Sequence, residues 1–100
     1  MISVKVEKEN SKYKKIKILG HAMYDDYGKD IVCSAASSIV TTTVNGILTL
    51  SKGSLTYLVS KKGMTIEVKT DDESTQLLLQ NMINLLKELE VNYPANIEVK

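Results

Sequence analysis

One hundred residues, 43% apolar and 25% charged, describe a single folded domain over residues 1–100 and exclude a disordered tail, a collagen-like repeat and a disulfide scaffold. Thirteen lysines against twelve carboxylates leave a net charge of +1, and the absence of arginine removes the fork that reads phosphates and guanine edges, so direct nucleic-acid binding is not expected. One Cys and one His exclude four-ligand zinc built on those residue types, and nothing in the composition calls for a cofactor.

Ile2, Val4 and Val6 alternate with Ser3, Lys5 and Glu7, the period of a half-buried strand. Asn10 and Ser11 sit in a polar turn, and Tyr13, Ile16, Ile18 and Leu19 form a second strand that ends at Gly20, giving a hairpin. Residues 20–29 lack periodicity and read as a loop. Asp30 stands at a helix N-cap position, and from Ile31 the apolar spacing predicts a long helix to Leu50. That helix must absorb the β-branched run Thr41–Val44 and also Gly46, for which close approach of another backbone is one explanation. Leu55, Tyr57 and Val59, then Met64, Ile66 and Val68, read as two strands around Lys61-Lys62-Gly63. Thr70 to Glu73 fits a capping box with Thr70 as N-cap. The helix that follows places Leu78, Met82, Leu85, Leu86 and Leu89 on one face and Gln80, Asn84, Lys87 and Glu88 on the other, until Asn92 and Pro94 stop it. Ile97 and Val99 make a short last strand. The order β-β-α-β-β-α-β predicts an α+β fold, a largely antiparallel sheet packed against two helices.

No stretch of eighteen purely apolar residues occurs, so no membrane span is expected, and the first ten residues lack the apolar core of a signal peptide. A cytoplasmic location follows as the expectation. The first twenty residues carry six lysines against Glu7 and Glu9. This surplus fits lysines guarding a sheet edge, or a footprint for an RNA-rich or acidic partner.

His21 and Cys33, each the only residue of its type, flank the loop. With Asp30 as N-cap, Cys33 is the third residue of the first helix, where unpaired N–H groups and the helix dipole favour a thiolate. A thiolate with a neighbouring imidazole is the minimum equipment for acyl transfer, and the first helical N–H groups could hold the oxyanion. Taken on spacing alone, a small buried core cysteine among Ile31, Val32, Ala35 and Ala36 explains Cys33 as well.

The string Gly20-His21-Ala22, then Tyr27-Gly28-Lys29-Asp30-Ile31-Val32-Cys33-Ser34-Ala35-Ala36-Ser37, resembles the ribosomal-processing cysteine protease family of Firmicutes and related bacteria. The resemblance runs over the full length and is looser outside this string. It implies removal of a short N-terminal extension from the twenty-seventh protein of the large ribosomal subunit, with cleavage after aromatic residues. It further implies Cys33 as nucleophile, His21 as acid/base, a homodimer, and a loop that orders when substrate binds. Asp30 either caps the helix or orients His21. Ser37, four residues after Cys33 and on the same helix face, either bonds His21 or substrate or simply packs. Tyr24 and Tyr27 are candidates for the floor of a substrate pocket or are surface side chains, and Gly20 and Gly28 are candidate hinges. The competing reading is a non-catalytic ribosome-associated factor that binds through the lysine-rich hairpin. A thiolate–imidazolium pair further predicts a bell-shaped dependence of rate on pH.

Overall fold

Alternating strands and two helical runs place β1 (Ile2–Glu9), β2 (Lys12–Leu19), α1 (Tyr27–Leu50), β3 (Leu55–Ser60), β4 (Gly63–Val68), α2 (Glu73–Asn92) and β5 (Ile97–Val99) along the chain. The computed structural model describes residues 1–20 and 27–100, with backbone alone for 27–30. The five strands form one sheet in the order β3-β4-β2-β1-β5. Only the β1–β5 pair is parallel. The α+β architecture read from the sequence is the one observed.

The first hairpin turns on Asn10 and Ser11, both at positive φ (53° and 66°), the backbone of a two-residue turn matched to strand twist. Val4 then faces Ile18 and Val6 faces Ile16. Between Glu7 and Lys8 the register slips, so that Lys8 faces Tyr13 and Lys14 is left as the extra residue. This bulge explains the odd spacing of the apolar residues in β2. Without it Tyr13 would point away from the face that carries Ile16 and Ile18; with it Tyr13 is buried beside them.

One sheet face supplies Ile2, Val4, Ile16, Ile18, Met64 and Ile66 to the core. Val32, Ala36, Val40, Val44 and Ile47 of α1 pack into it, as do Leu79, Met82, Ile83 and Leu86 of α2. Each large aliphatic side chain buried in this way contributes roughly 1.5–3 kcal/mol. A 3.5 Å contact between the Thr41 and Tyr57 hydroxyls links α1 to β3. The opposite edge is closed by β5, where the Ser3 hydroxyl donates to Glu98 Oε1 at 2.8 Å. That bond, helped by Lys100, holds the Glu98 carboxyl below its ordinary pKa.

Several local expectations are corrected. Helix α1 begins at Tyr27, four residues before Ile31, so residues 27–29 are helix and Asp30 lies within the helix instead of capping it. Residues 27–30 carry no apolar period, which is why periodicity starts late. The β-branched run is tolerated in part because the Thr43 hydroxyl returns a bond to the Ile39 carbonyl at 2.8 Å. Gly46 has open space where a Cβ would be, so no close backbone approach explains it. The N-cap of α2 is Asp72, whose carboxylate accepts from the Thr75 N–H at 3.2 Å, and Thr70 instead accepts from the Asp72 N–H. The buried face of α2 runs through Leu79, Met82, Ile83 and Leu86, leaving Leu85 partly exposed. Residues Ile31–Leu50 are also long and apolar enough, by length and composition, to cross a membrane, with a mean hydropathy of 1.5. Counting only strictly apolar residues missed this, because Ser and Thr interrupt the run without adding charge. In the fold the apolar stripe of this helix lies in the core.

The joint between α2 and the hairpin is polar. Gln76 is buried, its Oε1 accepting from the Tyr13 N–H at 2.7 Å and its Nε2 donating to the Tyr13 and Thr70 carbonyls at 3.2 Å. The side chain thus satisfies the backbone beside the bulge, as a neighbouring strand would. Gln76→Leu is expected to destabilise the fold by roughly 1–3 kcal/mol, the cost of orphaned buried backbone groups, measured as a lower urea midpoint at unchanged slope.

Candidate active site

The rotation of α1 about its axis is set by Val32, Ala36, Val40, Val44 and Ile47, all buried. Cys33 belongs to the same stripe and is 8% exposed, at the edge of the core cluster. Ser37 follows one turn later and is half-buried. The pair therefore lies along the flank of α1 that meets the rest of the domain, as the spacing predicted.

The earlier start of α1 changes the electrostatics. Cys33 is the seventh helical residue, not the third. The unpaired N–H groups of a helix are its first four, and the dipole acts within the first turn, so in α1 they belong to residues 27–30. Cys33 therefore lies one turn farther from the helix end than the sequence suggested. Asp30 precedes Cys33 by three positions, one turn along the helix. Tyr27 and Gly28 are the first two residues of α1, and the side chains of Tyr27 and Asp30 lie outside the description. His21 and Tyr24, and with them the loop that the resemblance implies is ordered by substrate, lie outside the described residues.

The point from which the chain departs toward His21 is described. Gly20 has φ +76°, and a Cβ there would collide with the Met1 carbonyl. Its N–H donates to the Lys62 carbonyl at 3.3 Å. Gly63, opposite Leu19 in the register, is equally constrained, because a Cβ would collide with the Ile18 carbonyl. Three backbone segments thus converge at one end of the sheet, and glycine is required by contact as well as by conformation. The sequence pointed to Gly20 as a hinge but gave no sign of Met1 or Lys62; the only available signal was Gly63 in the Lys-Lys-Gly turn. Among the described residues no group of three His, Cys, Asp or Glu is placed to hold a metal ion.

Comparison with known proteins follows from this geometry. The family model described as "Cysteine protease Prp" matches residues 1–98. The chain is 32% identical over 83 residues to the ribosomal processing cysteine protease Prp of Staphylococcus aureus, spanning 80% of this chain and 78% of that one. A crystal structure of an essential ribosomal processing protease Prp from S. aureus, in complex with a substrate peptide, superposes with a TM-score of 0.91 at 29% identity, covering 100% of this chain and 98% of that one. A second S. aureus structure, with a covalently linked product peptide, gives a TM-score of 0.87 at 29% identity and the same coverage.

Two glycines separate the contributions of contact and propensity. Gly20→Ala is expected to lose roughly 1–3 kcal/mol from the strained φ, with more from the collision, whereas Gly46→Ala should gain about 0.5–1 kcal/mol. Urea unfolding of both variants measures the opposite signs.

Proposed function

Because the chain belongs to the Prp family of cysteine proteases, we propose that it is an endopeptidase that trims the short N-terminal extension of a large-subunit ribosomal protein, the twenty-seventh, cutting after aromatic residues. The observation that carries this reading is the whole-chain match to a relative that holds a substrate peptide, together with the position of Cys33 on the flank of α1. A cytoplasmic location belongs to the same proposal, since ribosomal proteins are made and assembled there.

The chemistry assigns Cys33 as nucleophile and His21 as acid/base. The sulfur attacks the scissile carbonyl, forming a C–S bond. As the tetrahedral intermediate collapses, the C–N bond breaks and the His21 imidazolium gives its proton to the departing amine. Water then attacks the thioester, His21 takes its proton, and the sulfur leaves the newly formed carboxylate. A covalently linked product peptide in an S. aureus relative supports a nucleophilic route. The N–H groups of residues 27–30, unpaired within α1, are donors available to an oxyanion. With its capping role removed, Asp30 is assigned to orient His21, Ser37 to bond His21 or substrate, and Tyr24 and Tyr27 to the floor of the substrate pocket. Gly20 and Gly28, which flank residues 21–26 in the sequence, are assigned as hinges.

A homodimer is part of the proposal and is supported by the distribution of charge. From Ile31 to Ser60 the only charged residue is Lys52. That stretch contributes α1 from Ile31 onward and β3, which touch at the Thr41 and Tyr57 hydroxyls, with β3 at the sheet edge. Leu58 and Val59 on this edge are 66% and 65% exposed, and neither lysine nor proline protects the strand. A second copy presents the same uncharged edge and can meet it about a two-fold axis.

The tests are direct. Cys33→Ala should abolish cleavage of a peptide spanning the extension while leaving the circular dichroism spectrum unchanged. His21→Ala should lower kcat by at least about a hundredfold, the contribution of general acid–base catalysis. The wild-type rate should follow a bell-shaped pH profile. Retained activity in Cys33→Ala would defeat the mechanism and favour the alternative, a non-catalytic factor binding through the lysine-rich hairpin. Sedimentation should show a dimer that Val59→Lys converts to a monomer; a wild-type monomer at all concentrations would remove the second copy from the account.

A further inference from the structure

A cleft of about 330 Å³ opens between β1, β2, α2 and the end of β5. No residue of α1 contributes to it, so it is separate from Cys33. Its floor is apolar, made by Val6, Ile83 and Val99, with Tyr13 along one side. Its charged residues are Lys8, Lys87 and Lys100, one from β1, one from α2 and one just past β5. No Asp or Glu side chain lines it.

The three lysines reach the cleft from three separate elements, and of them only Lys100 has an ion pair among the described residues, with Glu98. Two glutamates bond residues that line the cleft. Glu90 accepts from the Val99 N–H at 3.3 Å, and Glu98, bonded to Ser3, lies 3.3 Å from the Lys100 Nζ. Lys8 Nζ sits 4.6 Å from the centre of the Tyr13 ring, a cation–π contact that leaves ammonium protons free to donate. Lys87 has no ion pair among the described residues. The Tyr13 hydroxyl donates to Gln80 Oε1 at 2.7 Å, which fixes the ring as a wall.

We propose that this cleft is a binding site for a small phosphate ester bearing a flat ring, of the nucleoside monophosphate class. The volume lies at the low end of the range for small-molecule sites, about 300–1,000 Å³. The ring would lie on the floor of Val6, Ile83 and Val99, and the phosphate would meet the lysines at the rim. A dianion answers several lysines better than a single carboxylate does. Lysine acts here as a point charge, so the missing arginine fork is no obstacle. The inference is independent of the protease reading.

The test is calorimetric titration of the full chain, at low salt, with adenosine monophosphate, adenosine, inorganic phosphate and a short single-stranded RNA. Adenosine monophosphate should bind saturably, and at least about tenfold more tightly than adenosine or phosphate alone, a difference of 1.4 kcal/mol. Lys87→Glu and Lys8→Glu should each weaken binding by about tenfold or more, whereas Lys52→Glu, which makes the same charge change outside the cleft, should leave it within about twofold. Urea unfolding of all three variants confirms that the fold persists. No saturable binding of the monophosphate, equal loss in Lys52→Glu, or binding of phosphate as tight as that of the ester would overturn the proposal. RNA binding at least about a hundredfold tighter than the monophosphate would reassign the surface to a polymer.

Discussion

The apolar stripe of α1 fixes both the core and the position of Cys33. Val32, Ala36, Val40, Val44 and Ile47 are each at most 1% exposed, so α1 cannot turn about its axis without emptying the core. Cys33 lies on the same side, in the second turn of the helix. Its environment therefore follows from the packing of α1. This arrangement suits a small enzyme. Rigid support for Cys33 comes from the core that folding needs in any case, and no separate scaffold is required.

The second support is at the end of the sheet. Gly20 is held between the Met1 and Lys62 backbones, and Gly63 is pressed against Ile18. The chain therefore leaves β2 from a fixed point. At the other end of the sheet, Gln76 ties α2 to the hairpin bulge. The two ends are thus held differently, one by close backbone contact and the other by a buried amide.

Much of this was legible in the sequence. Alternation in Ile2–Val6 and Leu55–Val59, the turn residues Asn10 and Gly63, and the leucine-rich second helix gave the element order and the fold class. The 13-to-16 spacing of Tyr13 and Ile16 also recorded the bulge, but reading it requires the register of the partner strand. Other features depend on tertiary contacts that leave little local trace. Gln76 looks like a surface residue until the Tyr13 backbone is seen beside it. Asp72 and Thr70 are both good caps, and only the path of the chain decides between them. The start of α1 was missed because its first turn carries polar residues and a glycine. For the site, the sequence placed Cys33 and Ser37 on one helix flank correctly but put them too close to the helix end. The lysine cleft was invisible, since Lys8, Lys87 and Lys100 converge only in three dimensions.

The central claim is that the sulfur of Cys33 becomes covalently joined to the substrate acyl group during turnover. Acid-quenching the enzyme in the first turnovers with an extension peptide, followed by intact-mass and peptide-mapping spectrometry, tests it directly. The account predicts an adduct equal to the amino-terminal fragment less water, carried on the peptide that contains Cys33 and lost as turnover ends. Product formed at full rate with no adduct on Cys33 at any quench time, or an adduct on a different residue, would contradict it.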